Sequence, residues 1–189
     1  RVDPQDPSEA ALKKELLNQV SRILKASDIM LVDAGFKIKG CQEAQVPRYL
    51  LRLAKNFTAR RNYLRDTTGQ KGQPPTKGDL VRPLTRKHKE KKIAASEPDT
   101  TCSWTIETGE TITVQVWYDL VRPDVEPDPK ADLFDVYAIS DPRYDNPLLV
   151  ATNVKLKAPT VHALYTDRWP IEQLPLAAKQ MLGAHRQFA

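Results

Sequence analysis

The chain has 189 residues, 40% of them apolar, enough for one domain of ordinary size or a domain with a large insertion. No apolar run approaches membrane-spanning length and no signal peptide is visible, so no membrane partner is expected and a reducing, cytoplasmic setting is the default. The net charge is only +5, but from Arg52 to Lys92 the chain carries 13 Lys and Arg against 3 acidic residues, Asp66, Asp79 and Glu90, while the remainder is net acidic. Such a block suits a polyanion, most simply nucleic acid; the plain alternative is a loop kept soluble by its charge.

Asp6-Pro7-Ser8-Glu9 predicts a helix start, with Asp6 as N-cap, Pro7 at the first helical position and Glu9 three residues after the cap. Leu12, Leu16, Val20 and Ile23/Leu24 then recur at helical spacing to about Lys25, which predicts one face packed on a sheet. Ile29-Met30-Leu31-Val32-Asp33 is a short apolar run ending in a carboxylate, followed by Ala34-Gly35-Phe36. It predicts a buried strand, with Gly35 free to turn the chain out of it. Open α/β sheets place ligands and chemistry at the C-terminal ends of such strands. The alternative for Asp33 is a residue that caps the next turn.

Gln42 to Ala54 predicts a second helix, with Val46, Tyr49/Leu50 and Leu53 on one side; Pro47 moves its start to that point. Asn56 to Leu64 is ambiguous and reads as a strand leading out of the core. Here Arg60 and Arg61 are the candidate DNA contacts of the basic block. Thr67 to Pro83 is rich in Gly, Pro and Lys, as a loop or arm would be.

The pattern then becomes mostly β. Cys102 to Glu107 and the alternating Ile112 to Tyr118 flank a hairpin-like turn at Thr108-Gly109-Glu110. Leu133 to Ile139 is a further strand, as is Leu148 to Val154 after the turn Asp141-Pro142-Arg143. Pro123, Pro127 and Pro129 mark an edge loop. There are no internal repeats. Cys41 and Cys102 make neither a metal spacing nor a disulfide framework, and no zinc pattern connects His88, His162 and His185.

The last segment concentrates chemistry. Tyr165-Thr166-Asp167-Arg168-Trp169-Pro170-Ile171-Glu172 is followed by Lys179. On a helix at about 100° per residue, Tyr165, Arg168, Glu172 and Lys179 share a sector roughly 60° wide. An apolar core does not want a phenol, a guanidinium, a carboxylate and an ammonium on one face. A site that holds a metal ion against a phosphodiester does. The bland alternative is a solvated helix face with an Arg168–Glu172 ion pair. A helix beginning at Pro170 would leave Tyr165 and Arg168 in its lead-in, and Pro175 would kink it before Lys179.

The spacing Tyr-x2-Arg-x3-Glu-x6-Lys resembles the signature of the IS4-type DDE transposases, and all four positions match. The segment around Asp33 resembles the strand-Asp-x-Gly-Phe/Tyr pattern that carries the second catalytic Asp in that family. The resemblance implies an α/β, RNase H-like core, partial in this chain and interrupted by a mostly β insertion. Residues 1–65 would be the partial core, 66–158 the basic loop and β insertion, and 159–189 the C-terminal core helix. Asp33 and Glu172 would be catalytic carboxylates and metal ligands for Mg²⁺ (or Mn²⁺). Arg168 and Lys179 would grip the DNA backbone, and Tyr165 would reach a phosphate. Trp169 would stack on a flipped base in relatives that form a hairpin intermediate, or pack as an ordinary core Trp. The implied partner is double-stranded DNA, at transposon ends and target, with room for a homodimer in the DNA complex.

The family needs another, upstream Asp on its first core strand. Asp3 and Asp6 have no strand around them, and Asp28 is too close to Asp33 to come from a different strand. With Arg1 rather than Met in first place, the chain is expected to be a transposase fragment. It would serve DNA cleavage and strand transfer at insertion-sequence ends but be inactive alone. The alternative is a non-enzymatic DNA-binding remnant or domesticated module.

Overall fold

The computed structural model describes residues 8–64 and 73–167. The chain divides into two compact units, Arg1–Lys155 and Leu156–Ala189. The first is a mixed α/β unit dominated by its sheet.

Helix α1 spans Glu9–Ile23. Its N-cap is Ser8, whose Oγ accepts the Ala11 N–H at 3.2 Å, so a hydroxyl rather than the expected Asp6 carboxylate caps the first turn. Asp6 lies outside the described residues. Leu17 is the side chain that α1 buries, with Val20 and Leu24 half-buried beside it. The expected packing stripe is therefore displaced. Leu12, Leu16 and Ile23, within about 40° of one another on the helix, are 54%, 47% and 78% exposed.

Strand β1 (Met30–Val32) ends at Asp33, as its apolar run predicts. A turn follows, closed by the Phe36 N–H on the Asp33 carbonyl at 3.1 Å. The next segment corrects the sequence reading. The second helix, α2, is the short Ile38–Glu43, and Tyr49–Arg52 is strand β2 rather than part of a helix over Gln42–Ala54. Tyr49, Leu50 and Leu51 are each no more than 1% exposed. Three consecutive buried side chains suit a strand covered on both faces, not a helix with one wet side. Gln45, at φ 52°, ends α2 before Pro47 is reached.

β2 lies parallel to β1, with Val32 opposite Leu51. Every other pairing among the described residues is antiparallel. The remaining strands are β3 (Ala59–Arg61), β4 (Leu80–Val81), β5 (Arg86–His88), β6 (Lys91–Ile93), β7 (Thr100–Thr105), β8 (Thr111–Val121), β9 (Phe134–Ser140) and β10 (Leu148–Thr152). The main sheet runs β1-β2-β10-β9-β8-β3-β4. β7 shares the outer edge of β8 with β3: it pairs along Thr111–Val116, and β3 pairs at Leu120–Val121. β5 and β6 form a separate two-stranded sheet. Gly109, at φ 90°, makes the β7–β8 turn where one was expected. Gly78 is required for a different reason: a Cβ there would meet the Arg61 carbonyl.

β8 carries a bulge. Trp117 pairs with Val136 and Leu120 with Phe134, so Tyr118 and Asp119 stand against Asp135 alone. Asp119 takes φ 52°. Both bulged N–H groups bond to carboxylates, Tyr118 N–H to Asp99 at 2.8 Å and Asp119 N–H to Asp135 at 3.0 Å. Lys155 Nζ bridges Asp119 and Asp135 at 2.7 and 2.8 Å. Burial pushes the Lys155 ammonium down, but its two carboxylate partners outweigh this and hold it above the usual lysine value. The core gathers Leu17, Val32, Cys41, Tyr49, Leu51, Trp117, Phe134, Val136 and Leu149 between the sheet and the two helices. Cys41 packs as the small apolar residue expected, its thiol pushed up to about 11 by desolvation.

In the second unit, helix α3 spans Ala158–Thr166 with Pro159 in its first turn. Thr166 Oγ1 donates back to the His162 carbonyl at 2.7 Å, and Asp167 is the C-cap.

Candidate active site and DNA-facing surface

Asp33 follows the last residue of β1, and Arg52 is the last residue of β2. Because the strands are parallel with Val32 opposite Leu51, both side chains emerge at the same, C-terminal, edge of the sheet. Crevices at that edge are where open α/β sheets bind ligands. Arg52 Nη1 stands 3.7 Å from Asp33 Oδ1, with side chains 46% and 54% exposed. That is an ion pair longer than a hydrogen bond, in water, so the pairing is weak and each group can turn to another partner. Arg52 was not singled out from the sequence. Reading Tyr49–Arg52 as the buried strand it is would have placed its terminal Arg beside the carboxylate that ends β1.

The other site residues fall as follows. Tyr165 sits in the last turn of α3. Arg168, Trp169, Glu172 and Lys179 lie outside the described residues. Among the described residues no three His, Cys, Asp or Glu side chains gather as a metal site. Asp33 is a solvent-reached hard oxygen donor, which suits one ligand position of a Mg²⁺ ion that also takes substrate phosphate.

Arg60 and Arg61, on β3, have partners inside the fold. Arg60 Nη1 donates to the Gly78 carbonyl at 2.7 Å. Arg61 forms a two-pronged pair with Asp99 at 2.6 and 2.7 Å. Asp99 also accepts the bulged Tyr118 N–H, so this pair ties β3 to β8. Burial pushes the Asp99 carboxyl up, but the Arg61 fork and the Tyr118 N–H prevail and hold it below its ordinary 3.8. A depressed carboxylate contributes stability that is present above its unfolded-state value and lost as pH falls through the folded one. Urea midpoints should therefore drop as pH falls through and below about 4, and Asp99→Asn should flatten part of that slope. A variant with the same acid slope as the parent would show that the pair does not contribute.

The exposed positive charge lies further along. Lys87, Lys89, Lys91 and Lys92 are exposed on and around β5 and β6. Lys55 and Arg86 line a groove of about 450 Å³ with Asn56, Leu84, Gln115 and Asn146.

An open mixed sheet with a carboxylate at the C-terminal ends of its parallel strands, together with a concentrated basic surface, defines a domain built to act on a polyanion. The family described as transposase DDE domain matches residues 1–187, and the chain belongs to that family. Its members act on DNA in transposition and use divalent metal ions. No curated protein and no solved structure matches the chain. No helix of the described residues is long and apolar enough to cross a membrane.

Proposed function

We propose that this chain is the part of an IS4-type DDE transposase that runs from the second catalytic Asp to the final Glu. Asp33 and Glu172 would hold Mg²⁺ at an RNase H-like core, and the metal would supply Lewis-acid stabilisation of the oxygens exchanged in cleavage and strand transfer. The observation that carries the proposal is Asp33 at the C-terminal edge of the one parallel strand pair among the described residues, within a chain that matches the DDE family. Arg52 would release Asp33 and turn to a phosphate oxygen beside the cut. Tyr165, Arg168 and Lys179 would contact the backbone, and Trp169 would stack on a base or pack in the core. Residues 66–158 would be the β insertion.

Two further features support a core shared with another segment. Among the described residues β1 has a neighbour on one side only. The adjacent helix α1 leaves Leu12, Leu16 and Ile23 uncovered. A strand bearing the first Asp, laid along the open edge of β1, would complete the carboxylate set and bring apolar cover to that side. A second reading, a DNA-binding module without catalysis, is favoured by the lack, among the described residues, of a group of three metal-ligating side chains at the Asp33 edge, and by its Arg52 partner.

The test is Mg²⁺-dependent nicking of DNA carrying the insertion-sequence ends. Residues 1–189 should bind DNA in a salt-sensitive way without cutting it. The longer product of the same reading frame should cut. Robust cleavage by residues 1–189 would show that the third carboxylate is already present. No cleavage by the longer product would favour the binding module.

A further inference from the structure

The hairpin β5–β6 is built against its own electrostatics. Its register sets Arg86 opposite Ile93, Lys87 opposite Lys92 and His88 opposite Lys91. Lys87 and Lys92 thus face each other directly across a two-stranded sheet, and like charges in that position destabilise the pairing. Lys89, in the turn, is held at φ 52°, a conformation that side-chain-bearing residues rarely adopt. None of Lys87, Lys89, Lys91 and Lys92 forms an ion pair among the described residues. Two-stranded sheets are marginal by themselves, so this arrangement is costly for a surface with no anionic partner.

The charge continues into the body of the unit. Arg86, at the start of β5, lines the same groove as Lys55 from the β2–β3 connection. Arg86 Nε is buried there without a hydrogen-bond partner. Side chains alternate along a strand, so Lys87 and Lys92 share one face of the hairpin while Arg86 belongs to the other, with Lys55 in the groove. Cations thus stand on both faces, and the exposed Lys87–Lys92 pair is the one free to meet a phosphate backbone. The hairpin tip is Lys89-Glu90 and offers no apolar side chain for a lipid interior, which argues against a membrane surface.

We propose that the β5–β6 hairpin is a sequence-independent clamp on the phosphate backbone of duplex DNA, with Lys87 and Lys92 on phosphate oxygens. The proposal rests on the reading of the chain as a DNA-acting domain, but not on catalysis at Asp33. Arg60 and Arg61 are not part of it: they are bonded within the fold, to Gly78 and Asp99.

The test separates a clamp from a structural element, because the two predict opposite signs. Each phosphate contact contributes about 0.9 to the slope of log K against log salt. Lys87→Ala/Lys92→Ala should lower that slope by about 1.8 on a random-sequence duplex. Taking the counterion contribution as lost near 1 M salt, this means weaker binding by roughly thirtyfold at about 0.15 M. The melting temperature should hold or rise, since the opposed charges are gone. Lys87→Glu, which creates an opposite-charge pair with Lys92, should raise it while weakening DNA binding further.

An unchanged slope in the double variant, with the parent still binding DNA, would overturn the clamp alone. So would a fall in melting temperature that tracks the loss of binding. Absence of DNA binding by the parent chain at low salt would overturn the clamp and the DNA-acting reading together. Binding to vesicles containing phosphatidylserine that depends on Lys87 and Lys92, with DNA binding unaffected, would assign the surface to lipid and reject the proposal.

Discussion

Asp33→Asn, in a protein carrying the whole carboxylate set, is expected to lower metal-dependent cleavage by at least about a hundredfold, the penalty for misplacing reacting groups by about an ångström. The substitution keeps the side chain's shape and one acceptor oxygen. It removes the charge that a hard cation needs from a site supplying only one or two carboxylates. It also leaves Arg52, 3.7 Å away, without its counter-charge at the mouth of the site. If Glu172 holds the same metal as proposed, Glu172→Gln should cost as much and the double variant little more than either single one, because residues that act together on one centre are not additive. DNA binding should survive all three, since the basic hairpin carries neither residue. Retention of more than about a tenth of the parent rate in Asp33→Asn would remove Asp33 from the catalytic assignment, as that loss is smaller than a single lost positioning contact produces.

What the sequence disclosed depended on how locally each feature was encoded. Asp33 could be read because an uninterrupted apolar run and a turn bracket it. The β7–β8 hairpin could be read because Thr108-Gly109-Glu110 separates two alternating segments, and Gly109 does take the left-handed conformation there. Strand β2 was mistaken for helix because Val46, Tyr49, Leu50 and Leu53 also fit a helical period. Only its place inside the sheet, paired to β1 along one edge and β10 along the other with both faces buried, decides between the two. Arg52 was missed with it. Arg60 and Arg61 show the limit of composition: it marked them as cations for a polyanion, but their partners within the fold, Gly78 and Asp99, are 18 and 38 residues away and invisible to a local reading. The bulge at Tyr118-Asp119 was equally hidden, because its N–H groups are answered by Asp99 and Asp135 from other strands.

Trp117→Ala should be the most damaging single change to the fold. The indole is fully buried in β8, and its Nε1–H donates to the Glu97 carbonyl at 2.8 Å. Truncating a buried Trp to Ala costs about 3–5 kcal/mol, and the Glu97 carbonyl left unpaired adds roughly 1–3 kcal/mol if water cannot reach it. Total stability for a domain of this kind is about 5–15 kcal/mol, so the variant loses roughly a fifth of it or more. Trp117→Phe keeps most of the ring packing and loses the hydrogen bond, so it should cost far less, and the difference between the two reports the cavity. Urea midpoints of parent and both variants supply the measurement; a Trp117→Ala midpoint close to the parent would mean that the site collapses without strain. The effect should reach function through the sheet. β8 is the strand on which β9, β7 and β3 all pair. It therefore links the Asp33 end of the sheet, reached through β9, β10 and β2, to β3 and the basic segment beyond it. On the proposed reading, loss of β8 separates Asp33 from the basic segment, so cleavage and salt-sensitive binding should fail together in Trp117→Ala, whereas Asp33→Asn separates them.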